Sequence, residues 1–415
     1  MSVDLDLFAG PGGWDVAAGA LGMAPVGIEL DAAACATRAA AGHPTIRYDV
    51  ADFPAEFYAG EVRGLIGSPV CTTFSAAGKR AGTAVLDVLE AMILDLFEGG
   101  KTRAAHRREM ARMLRLAWWP GPKLTRAERS ARIRKAVLSA SLVAEPARFI
   151  YACRPEWVAL EQVPAVLPLW QAYAAELRRA GYSAWTGKLN AADYGVPQTR
   201  ERAVLIASRA HQVSRPEPTH YDPRRGMQLW GTPWVSMAEA LGWGATARPA
   251  PTATAGGTAT GGAEPFGHRD RDALTAEQDA GRWQLRRNRG AGFLERGGPR
   301  RDHPPSEPAP TITGGDTGIV RLSWVHERPS TTVQGDPRIG RPGHKDRDKG
   351  ESQFAVDSVR ISVEEAAIIQ SFPPDYPWQG NKTARYTQVG NAVPPLLAEH
   401  ILAMATGIQR LERAA

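Results

Sequence analysis

The chain has 415 residues, 43% of them apolar and 23% charged, which suits a protein that buries a real core and has room for two or three domains or one large domain with insertions. Its net charge of +6 and pI near 9.3 favour a polyanionic partner without requiring one. Three widely spaced cysteines (Cys35, Cys71, Cys153) exclude a disulfide framework and a Cys/His metal pattern. No apolar run is long enough to span a membrane, and the start, Met1-Ser2-Val3-Asp4-Leu5-Asp6, lacks the features of a leader, so a cytoplasmic location is expected.

In chain order, Val3 to Phe8 reads as a strand, Ala9-Gly10-Pro11-Gly12-Gly13 as a glycine turn, and Trp14 to Leu21 as a helix. Pro25 to Glu29 is a second strand, Ala32 to Ala41 a helix, Thr45 to Val50 a third strand and Gly64 to Ile66 a fourth. Such alternation argues for a parallel sheet with helices on both faces. Helical patterns then run over roughly Val85 to Trp119 and Thr125 to Ala152, broken at Trp118-Trp119-Pro120-Gly121-Pro122. Between Lys101 and Lys135 this region carries ten arginines and lysines against Glu109 and Glu128, which is either a solvated helical face or a phosphate-contacting surface. Trp157 to Leu160 is a buried strand, Trp170 to Ala180 a helix, and Tyr182 to Asn190 and Ala203 to Ser208 are further strands.

Composition changes near His211. From there to about Ser352 the chain is rich in Pro, Gly, Thr and Arg, the pattern of short strands and loops. Pro-Thr segments recur around Thr252, Thr311 and Thr331, at spacings too irregular for a solenoid. Periodicity returns at Ser362 to Ser371, a helix with a Ser362/Glu365 capping box, and at Pro395 to Leu411. The expected domains are therefore residues 1–210, with a basic helical insertion at about 82–138, then 211–354, then a segment 355–415 that returns to the first.

Chemistry gathers at the ends of the early strands. Cys71 lies in Gly67-Ser68-Pro69-Val70-Cys71-Thr72-Thr73-Phe74-Ser75, a small-residue loop after Leu65-Ile66. An open α/β sheet presents reacting groups there, and a thiolate would be nucleophilic if its neighbours lowered its pKa from about 8.5. The plainer reading is a small buried apolar residue. Asp6-Leu7-Phe8-Ala9-Gly10-Pro11-Gly12-Gly13 lets the backbone approach a ligand closely. A carboxylate at Glu29 suits ribose hydroxyls, and Asp49 can accept from an adenine amine. Further on come Leu160-Glu161-Gln162-Val163, Gln198-Thr199-Arg200-Glu201-Arg202 and Gln388-Val389-Gly390-Asn391-Ala392-Val393-Pro394-Pro395. Each has a bland alternative as a salt bridge, a surface charge or a helix-cap turn.

Taken together and in this order, these segments resemble the DNA (cytosine-5)-methyltransferase family over about residues 4–76, 155–208 and 355–405. The resemblance implies a doubly wound, Rossmann-like mixed sheet of the S-adenosylmethionine-dependent methyltransferase class, with a smaller, irregular, β-rich target-recognition domain at residues 211–354. It implies Cys71 as the nucleophile that adds to carbon 6 of cytosine, Glu161 as the acid at ring N3, Arg202 on the cytosine carbonyl oxygen and Arg200 in support. A desolvated Glu161 would carry its proton more readily near neutral pH. Around S-adenosylmethionine it implies Phe8, Gly10, Gly12, Glu29, Asp49, Pro69 and Asn391. The implied partner is double-stranded DNA, with the base flipped out of the duplex by a monomer. The setting would be restriction-modification beside a cognate endonuclease, or orphan or phage modification.

Departures from the family pattern surround the nucleophile. Val70 and Thr72 replace the usual proline and glutamine on either side of the cysteine, and Gln162 stands where the family has Asn. That Asn braces the cysteine turn in the family, so Val70 and Gln162 are expected to be linked changes. Two alternatives stay open: tRNA cytosine methylation by the same chemistry, and a non-catalytic DNA-binding homologue that keeps the cofactor fold.

Overall fold

The computed structural model describes residues 2–70, 73–74, 81–117, 125–222, 231–235, 240–241, 283–287, 309–310, 320–324, 358–360 and 362–410. Most of residues 211–354, the expected target-recognition domain, and Cys71 itself lie outside them.

The first half builds β1 (Val3–Leu7), α1 (Gly13–Ala20), β2 (Val26–Glu29), α2 (Ala32–Ala40), β3 (Thr45–Arg47) and β4 (Val62–Gly67). Then follow α3 (Leu86–Phe97), α4 (Arg103–Ala117), α5 (Arg126–Ser141), α6 (Glu145–Cys153), β5 (Trp157–Gln162), α7 (Leu167–Arg179) and β6 (Ser183–Asn190). After the two-residue β7 (Gln198–Thr199), β8 (Glu201–Ser208) completes a seven-stranded sheet of order β3-β2-β1-β4-β5-β8-β6. It is mixed rather than purely parallel, because β8 runs antiparallel to both β5 and β6. The chain ends in α8 (Val363–Ile369), α9 (Lys382–Asn391) and α10 (Pro395–Thr406).

Side-chain alternation gives the sheet one core on each face. Val158 and Leu160 of β5, with Ala203, Leu205 and Ala207 of β8, join Leu5 and Leu7 in the core beneath α3, α5, α6 and α7. Trp157, Ala159, Val204 and Ile206 point the other way, against Trp14 and Ala17 of α1 and Leu397 and Ile401 of α10. A strand buried on both faces must be apolar at successive positions, which is why β5 and β8 read as continuous runs.

Local chemistry sets the helix ends. Asp31 accepts from the Ala34 N–H at the start of α2, and capping boxes at Thr125/Glu128 and Ser362/Glu365 open α5 and α8. The single helix expected over Val85 to Trp119 is two, because Gly99-Gly100 breaks it after Phe97. The last helix stops at Thr406 rather than Leu411, since Gly407 takes the left-handed conformation that ends helices.

On α10, the His400 ring packs edge-on against Tyr194 with centroids 4.9 Å apart, and Arg410 Nη1 lies 3.1 Å from its Nδ1. Burial, then the charges of Arg410 and His220, push its pKa down to about 3. The unfolded imidazole takes a proton near 6.5 and the folded one only near 3, so acid favours unfolding between those values. We expect His400→Gln to lose about 2–3 kcal/mol less stability than the wild type when pH drops from 7 to 4.5. Urea midpoints of both proteins at both pH values read this directly, and equal losses would remove His400 from the account.

Candidate active site

Of the expected site residues that are described, Phe8, Gly10, Gly12, Glu29, Pro69, Glu161 and Arg202 lie along one edge of the sheet, at or just beyond the carboxyl ends of β1, β2, β4 and β5 and at the start of the reversed β8. The glycine turn after β1 departs from ordinary backbone geometry: Phe8 has φ 59°, Gly10 55° and Gly12 108°. At Gly12 a side chain is excluded twice, since a Cβ there would lie 2.6 Å from the Tyr376 hydroxyl and 2.7 Å from the His43 ring. The Tyr376 hydroxyl donates to the Pro11 carbonyl and clamps the turn from above.

Beneath the turn, Arg38 of α2 is fully buried. It donates to both carboxylate oxygens of Asp15 (2.6 and 2.8 Å), to the Ala9 carbonyl (3.4 Å), to the Pro44 carbonyl (3.1 Å) and to Thr45 Oγ1 (2.8 Å). One guanidinium thus ties α1, the glycine turn and the entry to β3 together. Breaking such a buried pair from one side costs about 3–5 kcal/mol. Asp6 shares this space, and neither of its oxygens has a hydrogen-bond partner among the described residues. Burial foremost, then the Asp15 charge, raise its pKa well above the usual aspartate value.

At the end of β2, Glu29 accepts from the Gly10 N–H through Oε2 (2.8 Å) and from the Asp31 N–H through Oε1 (2.7 Å). Each oxygen keeps a lone pair for an incoming hydroxyl. Asp49 accepts from the Ala51 N–H through Oδ1 (2.9 Å), which orients its carboxylate. Leu30 and Tyr48 stand exposed beside these two acids and present an apolar surface that sequence reasoning did not single out.

After β4, the Ser68 N–H donates to the Leu7 carbonyl (3.2 Å), and Ser68 Oγ accepts from Trp14 Nε1 (2.8 Å). Pro69 is buried, and its carbonyl accepts from the Gln162 side-chain amide. The Gln162 carbonyl oxygen in turn accepts from the Val163 N–H. The longer residue therefore makes a brace to the cysteine turn, while Val70 faces outward at 41% exposure. Cys71 and Thr72 lie outside the described residues. Beyond them, Phe74 is buried and the Thr73 carbonyl accepts from the Gly82 N–H (2.9 Å).

Glu161 and Arg202 meet on neighbouring strands, with Arg202 Nε 2.8 Å from Glu161 Oε1. This is an ion pair rather than an aligned hydrogen bond, and Oε1 has no hydrogen-bond donor among the described residues. Arg200 is elsewhere. Its guanidinium donates to the Gly390 and Ala392 carbonyls, both at 3.0 Å, and so holds the end of α9 on either side of Asn391. Asn391 itself is exposed. The returning segment presses close to α1, where a Cβ on Gly13 would sit 2.2 Å from the Val393 carbonyl oxygen. Sequence reasoning missed Asp15, Arg38 and Tyr376. The available signal was a lone acid in the apolar α1 and a lone arginine in the alanine-rich α2.

Solved structures show the same fold. The Spodoptera frugiperda DNMT2 mutant superposes with a TM-score of 0.52 over 98% of this chain and 99% of its own, at 12% identity. An Entamoeba histolytica methyltransferase, EhMeth, gives 0.51 over 98% of both chains at 11% identity. The architecture is the α/β fold of these methyltransferases, a mixed seven-stranded sheet flanked by helices.

Residues 3–86, 131–234 and 321–406 match the family described as C-5 cytosine-specific DNA methylase, and the chain belongs to that family. It is 30% identical over 227 residues to Type II methyltransferase M1.HphI of Haemophilus parahaemolyticus, covering 54% of this chain and 48% of that protein. It is 26% identical over 275 residues to Type II methylase M.HgiDII of Herpetosiphon aurantiacus, covering 63% and 67%. The match thus spans about half the length of the first relative and two thirds of the second.

Replacing Gln162 with Leu keeps the volume but strands the Pro69 carbonyl and the Val163 N–H. We expect Gln162→Leu to lower stability by about 1–3 kcal/mol in urea denaturation. A variant as stable as wild type would mean that the amide braces nothing.

Proposed function

We propose that this chain methylates carbon 5 of cytosine in duplex DNA through a covalent Cys71 adduct. The observation that carries this reading is the Glu161–Arg202 pair at the sheet edge, beside the braced Pro69 that leads into Cys71. The residues present also fit S-adenosylmethionine. The glycine turn admits close backbone approach, Glu29 has acceptor capacity left for ribose hydroxyls, and Asp49 and Leu30 suit an adenine's amine and face. Phe8, Gly10, Gly12, Pro69 and Asn391 complete that set. Bound there, S-adenosylmethionine supplies an electrophilic methyl group.

The chain's own residues do the rest. Carbon 5 of cytosine is a poor nucleophile. Addition of the Cys71 thiolate to carbon 6 moves an electron pair toward carbon 5, and Glu161 offsets the charge that develops by supplying a proton at N3. Arg202 holds the carbonyl oxygen next to N3, which explains why guanidinium and carboxyl must be neighbours. Arg200 acts as a positioning residue that holds the Asn391 segment. Once carbon 5 carries the methyl group, loss of its proton expels Cys71 and restores the aromatic ring. The base must leave the duplex to reach these groups, at a cost of a few kcal/mol that phosphate contacts offset. The names of the Type II relatives support a role in restriction-modification. In that role the protein would act as a monomer on DNA, beside a cognate endonuclease.

Incubation of mixed unmethylated duplex DNA with methyl-labelled S-adenosylmethionine should yield 5-methylcytosine, and Glu161→Gln should cut turnover by about 10²–10⁴-fold. A duplex carrying 5-fluorocytosine at the target, which has no carbon 5 proton to lose, should trap the wild type covalently and leave Cys71→Ala free. Label on tRNA alone, or transfer to nothing despite cofactor binding, would overturn the reading in favour of the tRNA or the non-catalytic alternative.

A further inference from the structure

The family match skips residues 87–130, which hold α3, α4 and the start of α5. All of α4 and the start of α5 thus lie outside the family match, and the root of the α4–α5 hairpin is firmly built. Glu145, fully buried at the start of α6, accepts from Arg103 (2.9 and 3.0 Å), Arg107 (3.4 Å) and Arg148 (3.1 Å). Its neighbour Pro146 lies against Gly67, at the carboxyl end of β4. The hairpin is thus anchored level with the sheet edge that carries Glu161 and Arg202. Its inner residues Met110, Leu114, Ile133 and Val137 share a core with Phe74 and Val85, which flank the exit of the Cys71 loop.

Arg103 and Arg107 are consumed by this anchor, so they are not the free cations that the basic run suggested. The outer face differs. Arg108, Arg112 and Arg115 follow one another at spacings of four and three on α4, a stripe about 10 Å long. The two acids on these helices are engaged: Glu109 with Arg112 (2.6 Å) and Glu128 with the Thr125 N–H (2.8 Å). Arg108, Arg115, Arg126, Arg134 and Lys135 are exposed, with no carboxylate partner among the described residues.

We propose that the α4–α5 hairpin is a DNA-phosphate-binding arm that grips the duplex backbone beside the cysteine loop. This rests on the reading that duplex DNA is the substrate. Two observations select DNA over an acidic protein surface. The charge is one-sided and mostly arginine, suited to phosphate oxygens, and the arm adjoins the edge that a duplex must approach to deliver a base. Leu116 and Leu138, 76% and 53% exposed, are the contrary feature that a protein partner would use.

The test is the salt dependence of binding to a random-sequence duplex, read by fluorescence anisotropy between about 50 and 200 mM salt, because this electrostatic term is independent of sequence. For the full chain carrying Arg108→Gln, Arg115→Gln and Arg126→Gln, the slope of log K against log salt should fall by about 2–3, close to 0.9 for each phosphate that is no longer neutralised. Arg115→Gln alone should lower it by about 1. Affinity for S-adenosylmethionine should not change, since none of these three side chains pairs with Glu29 or Asp49 among the described residues. Wild-type protein that binds and methylates duplex, with variants of unchanged slope, would overturn the arm and leave the enzyme reading intact. Wild-type protein that methylates no duplex would overturn the enzyme reading, and the arm with it.

Discussion

The 2.8 Å approach of Arg202 Nε to Glu161 Oε1 requires a strand that runs against its neighbours. Arg202 is the second residue of β8, and Glu161 the fifth of six in β5. Had β8 run parallel to β5, its start would lie at the far edge of the sheet, roughly 20 Å away at about 3.3 Å per residue. The reversal brings the beginning of one strand to the end of the other. A cation and a carboxyl group are thereby placed side by side, the arrangement on which the proposed reading of a base's adjacent oxygen and nitrogen rests. Much else follows from that placement. The chain leaves β4 toward Pro69 as the immediate neighbour of β5, and β1, β2 and β3 fall in order on its other side.

Charge is also used behind the site, where it does no chemistry. Arg38, Arg200 and Glu145 are each buried and each joins segments distant in sequence. Leaving such a group unpaired costs several kcal/mol, so each tolerates few alternative packings. The glycine turn, the Asn391 segment and the root of the α4–α5 hairpin are fixed in this way. They are backbone-rich regions that apolar packing alone positions poorly. Asp6 is the exception, a carboxyl group with no donor among the described residues, whose pKa burial and the Asp15 charge raise.

Much of this was legible in the chain. The alternation of short apolar runs with alanine-rich helices identified the early strands, and the Ser362/Glu365 capping box was visible as a pattern of residue types. The order of the motifs identified the family. What was not legible depended on long-range pairing. Nothing local to Arg200 distinguishes a base-binding guanidinium from one that holds carbonyls 190 and 192 residues away. Arg103 and Arg107 likewise look like surface charges until Glu145 is brought beneath them. The direction of β8 is a topological property, and a strand's residues do not encode the direction of its neighbours.

The closing contacts on the glycine turn carry a consequence for synthesis. Tyr376 reaches Pro11 across 365 residues, and Gln388 accepts from the Thr37 hydroxyl across 351. The turn and the clamp above it come from opposite ends of the described chain. On the ribosome, the first strands and helices emerge long before anything can close over them. A nascent chain therefore carries an open, unclamped glycine turn until 365 further residues have been made. The turn is closed only by residues made after the whole sheet, so a closed turn marks a chain whose sheet and return segment have both found their places.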